Sequence, residues 1–289
     1  MKSNTTGTGN TGIGAYALDA NTTANLNVAV GYAALGANTT GASNVALGYE
    51  SLLANTTAND NTAVGKNSMV RNTTGDKNVA VGSLSLDHNT TGGNLTAIGY
   101  EALTANTTGS SNTAVGMYAL RTQTTGGNNA AFGIDALRYS TTGHENTACG
   151  RYALRKVTTS QENTGVGNAA FENTTTGSYN TGVGSSVAPS NTTGTNNTAV
   201  GYLTLENSTT GSYNTCIGNE VFRSNTTGYN NVAIGHNAGN NVVANTTGYA
   251  NVFLGSHAHG AAAGSSHNNV IGYNVGGANS TLTFGEGTT

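Results

Sequence analysis

The side chains in this sequence that could do chemistry are few. His257 and His259 stand two apart, so in an extended strand both imidazoles leave on one side, as a transition-metal site would use them. Arg121, Arg138 and Arg155 recur at one constant interval and would line up as a cationic stripe for an acidic glycan. Asn38, Asn55, Asn72, Asn106, Asn191 and Asn225 each open an Asn-x-Thr triplet, the acceptor pattern for N-glycosylation. No Ser-His-Asp context, carboxylate pair or phosphate-cradling glycine loop accompanies them, so no enzyme activity is expected.

Composition narrows the classes further. Charged residues are 8% of the 289, against roughly 25% in an average globular protein, while Gly numbers 42. A net charge of -3 offers no basic patch to nucleic acid. Low charge with 36% hydrophobic residues disfavours disorder. No run approaches the roughly 20 apolar residues of a membrane span, so a soluble chain without membrane insertion is expected. Met1 to Gly7 lack the apolar core of a signal peptide. A route to an extracellular or virion-surface location would then run by lysis, another signal or a longer precursor.

What must position these residues is a repeat. Asn-Thr/Val-Ala-Val-Gly recurs at every seventeenth position from Asn10 to Asn231, slips by three near Asn240 to Val242, and resumes at Asn251 and Asn268. Sixteen coils at one period indicate a solenoid in which each coil stacks on its neighbours. With coil positions numbered one to seventeen from the Asn, slot five is always Gly, including Gly14, Gly31, Gly48, Gly65, Gly82, Gly99 and Gly116, as a tight turn or positive φ requires. Slot four is always apolar and slot nine mostly Leu, so both read as core columns. Slots twelve to fifteen read Asn-Thr-Thr-Gly or a near variant, which is turn chemistry. The expected coil is two short strands, slots one to four and about six to ten, joined by the Gly. At roughly 4.8 Å per coil the stack would be a rod on the order of 75 Å long. Slot-one Asn, interrupted by Leu95, would either ladder amide on amide or satisfy its own turn. Residues 1–9 are a partial first coil, 10–239 the regular solenoid, and 240–289 irregular last coils with a cap or connector. Cys149 and Cys216 fall in slots read as inward, which makes them buried free thiols.

Slot three is Ala or Gly in thirteen coils, and no charge occurs in slots two, three or four. Because side chains alternate along a strand, slot three occupies the face opposite slots two and four. A strand restricted on both faces is read as buried on both, and a thin coil achieves that only against sister copies. A homotrimer or a head-to-tail polymer is the expected assembly.

Asn-Thr-Ala-Val-Gly-Tyr-x-Ala-Leu, as at Asn197 to Leu205 with Leu203 at x and Thr204 in the Ala slot, resembles the repeated motif of trimeric autotransporter adhesin heads. The interposed Asn-Thr-Thr-Gly is similar to repeats of phage and bacterial tail-fibre proteins. The resemblance covers about residues 4 to 275 and implies an all-β fold: a parallel β-solenoid of the left-handed β-roll type, wound as a homotrimer. The period here is longer than the adhesin head's. The function implied is a structural or adhesive fibre that presents, or itself forms, a rod binding host-surface glycans or a receptor.

Within such a fibre the candidate residues divide. In a trimer His257 and His259 would supply six imidazoles to one transition metal, the one cofactor that the pattern allows. Slot nine is already Gly239 and becomes Gly276, so surface histidines at the end of the roll are the preferred reading. The arginines read better as a solvated ladder neutralised by Glu145 and Glu162 than as a ligand stripe. Tyr32, Tyr49, Tyr100, Tyr202 and Tyr273, all slot six, would stack on sugars or brace the turn. Two further roles stay open: a self-assembling, glycosylated extracellular filament, and an ice-binding solenoid. The second is weakened because adjacent Thr point oppositely and leave one outward row.

Overall fold

A computed structural model describes residues 2–240, 246–277 and 282–284. The chain is an all-β parallel β-solenoid of about fifteen turns, and the described residues contain no helix. It divides into two compact units, Met1–Glu145 and Asn146–Thr289.

In the first unit each coil contributes one three-residue strand at slots two to four, from Thr11–Ile13 to Ala130–Phe132. Successive strands pair in parallel at the step of the sequence repeat, as in Val28↔Val45 and Val115↔Phe132. The second unit repeats this from Thr147–Cys149 onward. Its step lengthens by three at Val232↔Val252, which absorbs the insertion, of which Asn241 and Val242 lie outside the described residues. The step shortens at Asn269↔Leu282, adding a strand, Leu282–Phe284, that the repeat pattern does not announce.

Among the described residues the second strand expected at slots six to ten forms only in the last two coils, where His259–Gly260 pairs with Gly276–Gly277; the other coils have none. There those residues form turns in which slots seven and nine have left-handed backbone, with φ of 54° at Ala33 and 50° at Leu35. Slot seventeen is left-handed as well, at 59° in Ser43. Each such non-glycine residue costs roughly 1 kcal/mol or more, and hydrogen bonds between coils run through the turns against that cost. The Ala33 N–H donates to the Ala15 carbonyl at 2.9 Å, and Leu35 and Ala37 donate to Ser51 and Leu53 in the next coil at 3.1 and 3.0 Å. Coil-to-coil hydrogen bonding therefore continues beyond the strand, and the reversals of the turns bring the slot-nine side chain inside.

The core also differs from expectation. Slot nine is buried, as expected, with Leu18, Leu35, Leu52 and Met69 inaccessible to water. The partner it meets is slot three, not slot four. Ala29, Ala46, Ala63 and Ala114 are fully buried within their own coil. Slot four points outward: Ile98 is 39% and Phe132 42% exposed in the first unit, and Val183 40% in the second. The interior is narrow, so the residue opposite a leucine must be small, and the larger β-branched side chains are displaced to the outer face. The reading of slot three as an external contact surface is thereby corrected. A single chain buries it.

Slot-five glycine answers two demands at once. Gly48 has φ of 140°, outside the range of residues with a Cβ, and a Cβ there would stand 2.4 Å from the Gly65 carbonyl oxygen.

Candidate functional site

The feature that the fold leaves for function is the outer face of the strands. Slots two and four alternate with the buried Ala and so share that face. Slot two is half-buried or exposed Thr and Val; slot four is the apolar row just described. Eight strands, each with roughly 10 Å of exposed width, make a stripe on the order of 400 Å² in the first unit. The largest apolar patch on a typical monomer is of this size and is often functional. Neither row contains a charged residue.

The arginines of slot ten are already neutralised, by acids other than Glu145 and Glu162, whose slot seventeen belongs to a different part of the coil. Arg121 Nε lies 2.6 Å from Glu101 Oε2, and Arg138 Nη1 2.9 Å from Asp135 Oδ1. Both guanidinium groups lie over the Tyr118 ring, at 5.2 and 4.7 Å. In the second unit Arg155 pairs with Glu172 at 3.3 Å and Arg223 with Glu206. Burial pushes the Glu101 carboxyl up, but hydrogen bonds from Tyr100 and Arg121 outweigh it and hold the group below the usual carboxylate range. Paired charges of this kind favour the ladder over an acidic-glycan stripe at Arg121, Arg138 and Arg155.

The asparagines build two internal ladders. In slot one, Asn27 Oδ1 accepts from the Asn44 backbone N–H at 2.9 Å and from Asn44 Nδ2 at 3.2 Å, while Asn44 Nδ2 also donates to the Ala58 carbonyl. The amide thus both ladders and closes its own coil, so the two roles held apart by sequence coexist. In slot twelve, Asn55 Nδ2 donates to Asn38 Oδ1 at 2.8 Å and to the Ala58 carbonyl at 3.1 Å. This column contains the candidate glycosylation sites, and the folded chain buries them. Asn38, Asn55, Asn72, Asn106 and Asn225 are fully buried and Asn191 is 1% exposed. A buried amide of this kind leaves no room for a sugar while the coil is closed. The next residue, slot thirteen, uses its hydroxyl the same way, as when Thr39 Oγ1 donates to the Thr56 carbonyl at 3.0 Å. Of the Thr pair, slot fourteen, such as Thr40, is the one that faces water, as alternation along the chain expects.

His257 and His259 do not share a strand face. His257 has φ of 58° and belongs to a turn, whereas His259 begins the short strand His259–Gly260 and its Nδ1 meets the Gly260 carbonyl. His257 is instead 5.1 Å from His236, ring centroid to centroid. Sequence spacing misses that neighbour because the relation runs from coil to coil. Among the described residues no three His, Cys, Asp or Glu side chains gather as a metal site. The two free cysteines separate by slot: Cys216 in slot three is buried, while Cys149 in slot four is exposed, against the expectation of burial for both. The slot-six tyrosines are exposed, and Tyr32 and Tyr49 stack on one another at 5.3 Å with ring planes 11° apart.

No family model, curated protein or solved structure matches this chain.

Proposed function

We propose that the chain is a structural and adhesive fibre module, of the tail-fibre or surface-adhesin kind, that assembles with sister copies through the slot-two and slot-four face. A left-handed homotrimer with three such faces turned to a common axis is the arrangement proposed. The observation that carries this reading is the outward row of slot four, apolar in all sixteen coils and flanked by an uncharged slot two. A face kept in water tolerates Lys or Glu, and solvent-facing sheets use charge to prevent association. Here charge is admitted at slots six, seven and ten and is absent from these two rows.

Magnitudes support the assembly. Covering a half-exposed Val or Ile is worth about 1 kcal/mol, so sixteen rows yield on the order of 16 kcal/mol per chain. That is comparable to or larger than the cost of association, about 4 to 15 kcal/mol. Many equivalent coils on several chains would multiply weak contacts with a glycan-bearing surface outside a cell or on a virion. Sedimentation equilibrium tests the reading: the native chain should sediment as several copies and Val115→Lys as one, with adhesion to cell surfaces falling alongside. A native chain that sediments as a single copy at every concentration contradicts it.

An ice-binding role takes support from Thr in slot two of nine coils. The row beside it, with Leu47 and Phe132 among valines, is too uneven in size to match a lattice. Thermal hysteresis in solution would favour that role.

A further inference from the structure

The insertion that lengthens one coil leaves His236 in slot six and His257 in slot seven of the following coil. Their rings meet edge to face, with planes 66° apart and centroids 5.1 Å apart. The backbone fixes this spacing, since the His257 N–H donates to the His236 carbonyl at 2.9 Å. Between the rings sits the Asn237 amide nitrogen, 3.4 Å from His257 Nε2 and 3.3 and 3.4 Å from the two nitrogens of His236. On the other side of His257, Ser256 Oγ lies 2.9 Å from Nδ1. A hydroxyl that accepts the Nδ1 proton leaves Nε2 with its lone pair, and an oxygen acceptor on the second ring nitrogen is the usual support of a ligating histidine. His236 is exposed and His257 half-buried, so a hydrated ion reaches both directly.

We propose that His236 and His257 form a two-imidazole chelate for a divalent transition-metal ion of the zinc, nickel or copper class. Imidazole nitrogen suits these ions, whereas magnesium and calcium require oxygen ligands. Zinc holds nitrogen at about 2.0 to 2.1 Å, which sets the two ring nitrogens on the order of 3.3 Å apart in a tetrahedral site. The Asn237 amide nitrogen stands 3.3 to 3.4 Å from ring nitrogens of both histidines, so the rings reach that spacing only when the amide leaves and one of them turns inward. Asn237 turns aside, or presents its carbonyl oxygen, and the exposed His236 ring rotates one nitrogen into the space it leaves. Water completes the shell, because no third His, Cys, Asp or Glu joins the pair among the described residues. His259 takes no part. The chelate lies within one chain and does not depend on the proposed assembly.

Titration calorimetry of the full chain with zinc chloride tests the site. One ion per chain is expected, with His236→Gln and His257→Gln each weakening binding about tenfold or more, Ser256→Ala weakening it less, and His259→Gln leaving it unchanged. Magnesium chloride should give no heat of binding. Circular dichroism checks that the variants fold, and the exposed His236 supplies the deciding substitution if His257→Gln does not. Absence of zinc binding by the native chain, binding that survives His236→Gln, or loss of binding in a folded His259→Gln variant would overturn the proposal.

Discussion

Gly182 lies against the ring of Phe171, so closely that a Cβ on the glycine would stand 2.6 Å from two ring carbons. Slot three and slot nine therefore share one volume across the coil, and where one side chain is large the other is small. Gly182→Ala overpacks this space and should cost about 1 to 3 kcal/mol in urea unfolding. Phe171→Leu restores the usual Ala and Leu pairing, so the double variant should lose less than the two single costs combined. Strict additivity would contradict the shared-volume account.

Ala114 and Val115 are chain neighbours with opposite environments, one fully buried in the coil and the other half-buried on the outer face. Ala114→Glu places an unpaired carboxylate in the interior and should unfold its coils, at a cost above about 4 kcal/mol. Val115→Lys should keep the native circular dichroism spectrum and abolish assembly. If both variants fold and both dissociate, the assignment of inner and outer rows is wrong.

These two neighbours also show what the sequence conveys and what it withholds. The period, the glycine column, the buried leucines and the polar ladders are legible because each rests on one residue type recurring at one slot. The inward side of the strand is not legible from hydrophobicity, because in so narrow a coil the bulkier apolar residues are the ones that do not fit. A subtler signal exists. Slot three shrinks to Gly165 and Gly182 around Phe171, and grows to Phe253 after slot nine falls to Gly239, where the Phe253 ring packs 5.6 Å from Phe222. Such compensation is expected only between residues that touch. The left-handed turns escape notice because leucine and alanine, unlike glycine, do not advertise positive φ, and inter-coil bonds stabilise them here. Pairings such as Arg121 with Glu101, or His257 with His236, run from one coil to the next and become visible only once the coil is closed.

Slot-five glycines should tolerate nothing larger. Gly48→Ala combines a forbidden φ with a contact on the Gly65 carbonyl, and a loss on the order of 3 kcal/mol or more is expected in thermal or chemical unfolding. A change below about 0.5 kcal/mol would show that the coil relaxes around a side chain there.

The cysteines report on the outer face without a new residue. Burial pushes the Cys216 thiol well up, which keeps it neutral and slow towards a thiol reagent. Cys149 stands in slot four and is exposed on the single chain. In the native assembly both thiols should resist Ellman's reagent, in Val115→Lys one per chain should react, and in denaturant both. Rapid labelling of Cys149 in the native protein would place slot four in water.

The particle mass from light scattering after size exclusion bears most directly on whether the uncharged outer face binds sister copies. Three times the 28.9 kDa chain mass is the predicted result for the native protein, and 28.9 kDa for Val115→Lys. A native particle of one chain mass, or an open-ended polymer unaffected by the substitution, would contradict the account.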